Sequence, residues 1–186
     1  MLDKIKLNII SNRKLCENKN LEKQIEKIFS AYERKIILKN FDIVALTLRE
    51  KDLNKNEYLK LIEEIYPICQ KYKINLILHQ NYDLNLDDKY KIDGIHLSYN
   101  IFKSLNENIK AELIKKYKRI GVSIHSLDEA KEVENLGASY VIAGHIFETD
   151  CKKGLKPRGL KFVEDLSSAL TIPIFAIGGI DEKNSQ

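Results

Sequence analysis

The run Gly144-His-Ile-Phe-Glu-Thr-Asp-Cys-Lys-Lys-Gly154 gathers an imidazole, a hydroxyl, a thiol and two ammonium groups into one short polar stretch. Tyr140, Val141, Ile142 and Ala143 lead into it as an apolar run of strand type, and Leu160, Phe162, Val163 and Leu166 lead out at helical spacing. His145 therefore stands just past a buried strand. An imidazole changes charge near neutrality, so a single ring can take a proton from one carbon and return it to another at little cost. Cys151 has no partner base nearby in the sequence and is not read as a nucleophile. On its own, a histidine after a strand is more often structural than functional.

A second charged cluster is Thr47-Leu-Arg-Glu-Lys-Asp52, which follows the apolar residues Ile43 to Leu46. Arg49 could hold an anion as a planar fork and Lys51 as a point charge. Taken alone, the run reads first as an exposed charged loop and second as an anion site. His79 and His96 end candidate strands and could line a pocket or be satisfied structural groups, and His125 precedes a helix cap. Asp83, Asp87 and Asp88 read as loop or helix-start charges.

The elements that must position these groups alternate from one end of the chain to the other. Strand-type runs are expected at 6–11, 42–48, 74–79, 93–97, 118–124, 139–143 and 173–177. Amphipathic stretches separate them, with apolar stripes at Leu21, Ile25, Ile28, Phe29 and Tyr32, at Leu59, Ile62, Ile65, Tyr66 and Cys69, and at Ile109, Leu113, Ile114 and Tyr117. Pro67 should kink the end of the second helix. A short turn of helix is expected within 82–89. Ser126-Leu-Asp-Glu129 has the spacing of a capping box and Gly137 that of a C-terminal glycine cap. Alternation of this kind specifies an α/β chain of repeated βα units around a parallel sheet, and the nearly unbroken apolar strands fit burial on both faces.

A length of 186 residues suits one core, and the 44% hydrophobic and 31% charged fractions are globular values. No apolar run approaches a membrane span and none near Met1 resembles a signal peptide, so a cytoplasmic protein is expected. A net charge of +4, with lysine interspersed with glutamate, gives no case for nucleic acid. Cysteines 16, 69 and 151 are scattered, without histidine at metal-ligand spacing, which excludes a zinc site or a disulfide framework as readings.

The loop at 144–154 resembles the thiamin phosphate synthase superfamily, whose members carry a Gly-Pro-Ile-Phe-x-Thr-x-Thr-Lys-Lys-Gly loop, and is most similar to its TenI branch, the thiazole tautomerases. There the proline is histidine and the loop reads Gly-His-x-Phe-Glu-Thr-Asp-Cys-Lys-Lys-Gly, which residues 144–154 match throughout. The resemblance implies a parallel (β/α) TIM-type barrel with ligands at the strand ends. It implies an isomerase of thiamin biosynthesis acting on a carboxylated dihydrothiazole that bears an ylidene-ethyl phosphate. His145 would be the catalytic group, and neither metal nor organic cofactor would be required. Arg49, Lys51, Thr149 and Lys152 would contact substrate, and Gly178 and Gly179 after the seventh strand would hold phosphate.

In the synthases the run at 47–52 begins with glutamine in place of Thr47. The synthases also carry an Asn-Asp-Arg type run after the third strand and His-Leu-Gly-Gln-x-Asp after the fourth, whose two aspartates bind magnesium. The corresponding places here read His79-Gln80-Asn81 and His96-Leu-Ser-Tyr-Asn-Ile101, so both aspartates are replaced. Magnesium-dependent coupling of a pyrimidine diphosphate to a thiazole phosphate is therefore the alternative activity. A non-catalytic protein that binds a phosphorylated metabolite and regulates is the alternative from another class. One (β/α)8-type domain over 1–186 is expected, truncated after the seventh strand and lacking the last strand and helix. Part of the phosphate cradle would be missing with them, and self-association or low stability should follow from the uncovered strands.

Overall fold

The structure is a computed structural model that describes residues 4–36, 40–84, 86, 89–181 and 183–185. Seven strands are present: β1 (Ile5–Ile10), β2 (Phe41–Leu48), β3 (Asn75–His79), β4 (Gly94–Ser98), β5 (Arg119–Ile124), β6 (Tyr140–Gly144) and β7 (Ile174–Ile177). Each begins and ends within one residue of its expected run. The helices are α1 (Leu21–Glu33), α2 (Lys55–Tyr72), α3 (Tyr99–Ser104), α4 (Glu107–Lys116), α5 (Leu127–Asn135) and α6 (Gly159–Ala169). The chain divides into two compact units, residues 1–95 and 96–186.

In the first unit β1, β2 and β3 pair in parallel and in order. Side chains alternate across a strand, and the consequence is plain in β2 and β3. Leu46, Leu48, Leu76 and Leu78 join Leu21, Ile25 and Phe29 of α1 and Ile62, Ile65 and Cys69 of α2 in one apolar cluster. Ala45, Thr47, Ile77 and His79 occupy the opposite face, where they are also buried. α2 starts on a true capping box, in which Asn54 Oδ1 accepts from Glu57 N–H and the Glu57 carboxylate accepts from Asn54 N–H. This box escaped the sequence reading. The helix runs past Pro67 to Tyr72 and is closed by Lys73 in the left-handed conformation.

In the second unit β5, β6 and β7 pair in parallel and in order. Ile120, Val122, Ile124, Val141 and Ala143 are buried with Ala130 and Val133 of α5, Leu113 of α4, Phe102 of α3 and Leu166 of α6. Gly137 (φ +94°) ends α5 as expected, with Gly137 N–H on the Glu134 carbonyl and Ala138 N–H on that of Val133. The expected capping box is shifted by one residue. Ser126 Oγ accepts from Glu129 N–H at 3.1 Å, but the Glu129 carboxylate accepts from His125 N–H instead of Ser126.

One expectation for the middle of the chain needs correction. The described residues among 82–89 form no helix; Asn85, Asp87 and Asp88 lie outside the described residues. A helix occurs instead at α3, where Ser98 Oγ caps Ile101 N–H. Ser98 was weighed only as part of a ligand loop, and its capping role was overlooked.

Candidate functional site

His145 follows β6 directly, through a cis Gly144–His145 peptide, and is half-buried. Pairing with β7 continues beyond the strand, since Ile146 N–H donates to the Ile177 carbonyl at 3.0 Å and Phe147 N–H to that of Gly178 at 2.9 Å. The loop then returns on itself: Arg158 N–H reaches the His145 carbonyl and Gly159 N–H that of Ile146, both at 3.0 Å. These bonds tie both ends of the 144–159 stretch to one another and fix the backbone that carries the imidazole. The ring's Nε2 lies 3.2 Å from the Leu155 carbonyl. A carbonyl only accepts, so that contact requires a proton on Nε2, and in the neutral ring Nδ1 is then the nitrogen that keeps its lone pair. Among the described residues Nδ1 has no hydrogen-bond partner.

Gly178 and Gly179 are brought against this loop. Both have positive φ (+99° and +69°), and a Cβ on Gly178 would fall 2.4 Å from His145 Cβ and 2.8 Å from its Cα. A Cβ on Gly179 would fall 2.3 Å from the Glu148 carbonyl oxygen. Contact with the histidine loop, as well as backbone conformation, therefore requires glycine at both positions. Asp181 closes the turn that follows by accepting from Lys183 and Asn184 N–H groups.

Thr149 and Lys152 line a concavity of about 770 Å³, a size typical of ligand pockets. Lys153, Lys156 and Leu155 line it too, the last being the residue whose carbonyl receives His145 Nε2. Glu148 and Asp150 add two carboxylates to its three lysines, so cations are in the majority. Two residues given no catalytic part by sequence reasoning also converge on the end of β6. His125 Nδ1 and Arg158 Nε each contact the Gly144 carbonyl at 3.2 Å. Arg158 lies beyond the motif at 144–154, and its backbone bond to His145 shows why it stands there.

In the first unit the run at 47–52 is sorted by charge. Glu50 is buried at 5% exposure and accepts from Ser11 Oγ at 2.7 Å, Arg13 N–H at 3.0 Å and Arg13 Nη1 at 3.3 Å. Asp52 takes the Arg13 fork through both oxygens, at 2.7 and 3.0 Å, and Lys14 at 3.2 Å. Arg13 holds the Asp52 carboxyl far below the usual carboxylate range. Neither acid of the run is engaged by Arg49. Arg49 is held by its backbone, its N–H donating to Ser11 Oγ at 2.8 Å.

β2 and β3 pair Leu48 with Leu78, which sets Arg49, just beyond the end of β2, level with His79, the last residue of β3. Burial first, and then the charges of Arg49 and Lys51, lower the His79 imidazole from 6.5 to about 4. The ring is thus neutral at physiological pH in a field made positive by the two expected anion-binding residues.

Neither residue at the two positions that the resemblance aligns with the magnesium aspartates carries an anionic oxygen. Gln80 is a neutral amide on a left-handed backbone (φ +65°), Ile101 is a hydrocarbon, and the Asp83 carboxylate is taken by Lys55. A hard divalent ion requires anionic oxygens. Among the described residues no three His, Cys, Asp or Glu side chains come together as a metal site. No helix among the described residues is long and apolar enough to cross a membrane.

Comparison with known proteins gives a consistent result. The family model described as "TMP-TENI: Thiamine monophosphate synthase" matches residues 7–186. Thiamine-phosphate synthase of Clostridium tetani is 31% identical over 180 residues, covering 97% of this chain and 79% of that protein. The Clostridium acetobutylicum enzyme of the same name is 32% identical over 181 residues, covering 97% and 78%. A "putative thiamine-phosphate synthase 2" of Aquifex aeolicus is 35% identical over 147 residues, covering 78% and 74%. Among solved structures, thiamine phosphate pyrophosphorylase from Pyrococcus furiosus superposes with a TM-score of 0.74 at 24% identity, covering 98% of this chain and 79% of that one. The fold is accordingly α/β, of the parallel TIM-barrel type.

Proposed function

The chain belongs to the TMP-TENI family, and we propose that within it the protein is a thiazole tautomerase. In this reading His145 aromatises a carboxylated dihydrothiazole phosphate by moving one proton. The observation that carries it is the half-buried imidazole at the end of β6, anchored through Nε2 on the Leu155 carbonyl with no partner among the described residues at Nδ1. Nδ1 removes the proton from the ring carbon that bears the carboxylate. The electron pair enters the ring as it becomes aromatic, and the exocyclic ylidene carbon takes the proton back from the imidazolium. No electrons are gained or lost overall, and the gain of aromaticity drives the step. The protein has only to position the ring and hold the base, which is catalysis by orientation and general acid–base transfer.

The Leu155 carbonyl also stabilises the transient imidazolium, because it faces the N–H that gains positive charge. Thr149 and Lys152 are assigned to the substrate on the rim of the adjoining concavity, and Gly178 and Gly179 to its phosphate through backbone N–H groups. Arg49 and Lys51 are assigned to anionic substrate groups.

A second reading, thiamine-phosphate synthase, is favoured by the names of the Clostridium relatives. Against it stand Gln80 and Ile101 at the magnesium positions. One pair of assays separates the two. His145→Ala and His145→Gln should lower turnover of the dihydrothiazole at least about a hundredfold while binding of the aromatic product changes little. Magnesium-dependent formation of thiamin phosphate from the two coupling substrates, with no tautomerisation, would establish the synthase reading instead.

A further inference from the structure

The guanidinium of Arg158 is fixed in place yet engaged by no acid among the described residues. Its Nε donates to the Gly144 carbonyl at 3.2 Å, and its Cζ lies 5.5 Å from the centre of the Phe162 ring, four residues on in α6. The backbone N–H of the same residue donates to the His145 carbonyl. Arg158 is thereby tied at two points to the end of β6, where the candidate base stands. The Nε bond uses one of the five N–H donors of a guanidinium, and the four on Nη1 and Nη2 have no hydrogen-bond partner among the described residues. Acids of its own helix are turned to another cation: Asp165 accepts from Lys161 at 2.7 Å, and Glu164 lies 4.0 Å from the same ammonium. A long side chain ordinarily loses conformational freedom when it takes a ligand. Here the anchor at Nε and the Phe162 ring have already removed part of that freedom. The open end of the fork presents two parallel N–H groups, the pattern that matches a carboxylate.

The anion it meets is set by where the proton transfer occurs. Nδ1 of His145 has to reach the ring carbon that bears the carboxylate, so that carboxylate is one bond from the reacting atom. The phosphate stands at the far end of a two-carbon arm and is assigned to Gly178 and Gly179. Arg158 is bonded directly to the Gly144–His145 backbone, whereas Lys152, Lys153 and Lys156 are point charges lining the concavity.

Resting on the tautomerase reading of His145, we propose that Arg158 is a further catalytic residue, whose Nη1 and Nη2 groups hold the carboxylate of the dihydrothiazole beside the imidazole. The contact acts on rate as well as on binding. Taking a proton from a carbon that already carries a carboxylate moves negative charge onto that group, and its bonds to a guanidinium strengthen as the charge builds. The bond that breaks is the ring C–H, its electron pair enters the ring, and the proton passes through His145 to the exocyclic carbon. Arg158 stays protonated throughout.

Two ligands test this contact. Calorimetry measures binding of the aromatic carboxythiazole phosphate, and of the same thiazole phosphate without its carboxylate, to the parent, Arg158→Gln and Arg158→Met. Turnover of the dihydrothiazole phosphate and a thermal melt accompany each protein. The glutamine amide can still donate toward the Gly144 carbonyl, so that variant removes the charged fork and keeps a group able to anchor the loop. Both variants should bind the carboxylated ligand about ten- to a hundredfold more weakly and the carboxylate-free ligand within about twofold of the parent. Their kcat should fall at least about tenfold. Equal losses for the two ligands would overturn the proposal, because the arginine would then hold the phosphate or only support the loop. Unchanged binding of both ligands would overturn it as well. If Arg158→Met does not fold, Arg158→Gln decides. A parent protein that binds neither ligand and turns over no dihydrothiazole removes the tautomerase reading and this contact together, whereas equal losses in an active parent remove this contact alone.

Discussion

Acidification should destabilise the protein through His79 over a defined interval. Its imidazole is 8% exposed and is lowered from 6.5 to about 4 by burial and by the positive charges of Arg49 and Lys51. Because the folded value is depressed, the fold favours the neutral ring. The contribution is complete above the unfolded value of 6.5, is lost as pH falls from there through about 4, and is constant below. Each pH unit across that interval corresponds to about 1.4 kcal/mol, so the whole loss is about 3 kcal/mol, a large part of the roughly 5–15 kcal/mol that holds a domain together. Carboxylates titrate in the same range, so the informative quantity is a difference. Urea denaturation of the parent and of His79→Asn should show the parent losing about 3 kcal/mol relative to the variant between about pH 7 and pH 4. A difference that stays flat within about 0.5 kcal/mol would refute the placement of this ring in a buried, positive environment. Repeating the titration in phosphate should give a shallower slope, because an anion beside Arg49 and Lys51 offsets the charges that repel the proton.

Two further outcomes follow from the loop geometry and the charge sorting. Gly178→Ala should destabilise the protein by about 2–4 kcal/mol, by strain at φ +99° and collision with His145, and should depress turnover more than the melting temperature alone explains; unchanged turnover with a fully folded variant would contradict the contact. Ser11→Ala removes the acceptor of Arg49 N–H and a donor to buried Glu50, and should cost about 1–3 kcal/mol in denaturation while raising KM with little change in kcat.

What was legible in the sequence follows the range of the interactions concerned. Strand limits fell within one residue of expectation because apolar stretches such as 43–46 in Phe41–Leu48 stand between polar residues close by, Asp42 before and Thr47 and Arg49 after. The Gly137 cap was legible for the same reason. α3 was missed because Ser98 was read for ligands and not as the cap of Ile101. The capping box at α5 was misplaced by one residue because a glutamate side chain can reach either of two adjacent backbone N–H groups, and only geometry chooses His125. Arg13 is the clearest limit. Nothing local links it to Glu50 or Asp52, 37 and 39 residues away, and the pairing exists only because β1 and β2 lie side by side in register. The contacts of His96 with Tyr140 and Ser123 likewise join three strands, and no spacing in the sequence announces them.

That limit changes how the run at 47–52 should be understood. As sequence it contains two cations and two anions and sums to nothing, which is why an exposed charged loop was the first reading. As structure, both anions are turned toward Arg13 and Lys14, which the strand pairing brings to them. Arg49 is then aligned by Ser11 with neither neighbouring carboxylate engaged on it. Burial first, and then the charges of Arg49 and Lys51, hold the nearby His79 imidazole below its ordinary value. Positive charge beside a buried neutral imidazole opposes its protonation, and an anion bound there would offset that effect. The proposed assignment of Arg49 and Lys51 to anionic substrate groups therefore draws on how Arg13 partitions the charges of its neighbours as well as on the family motif.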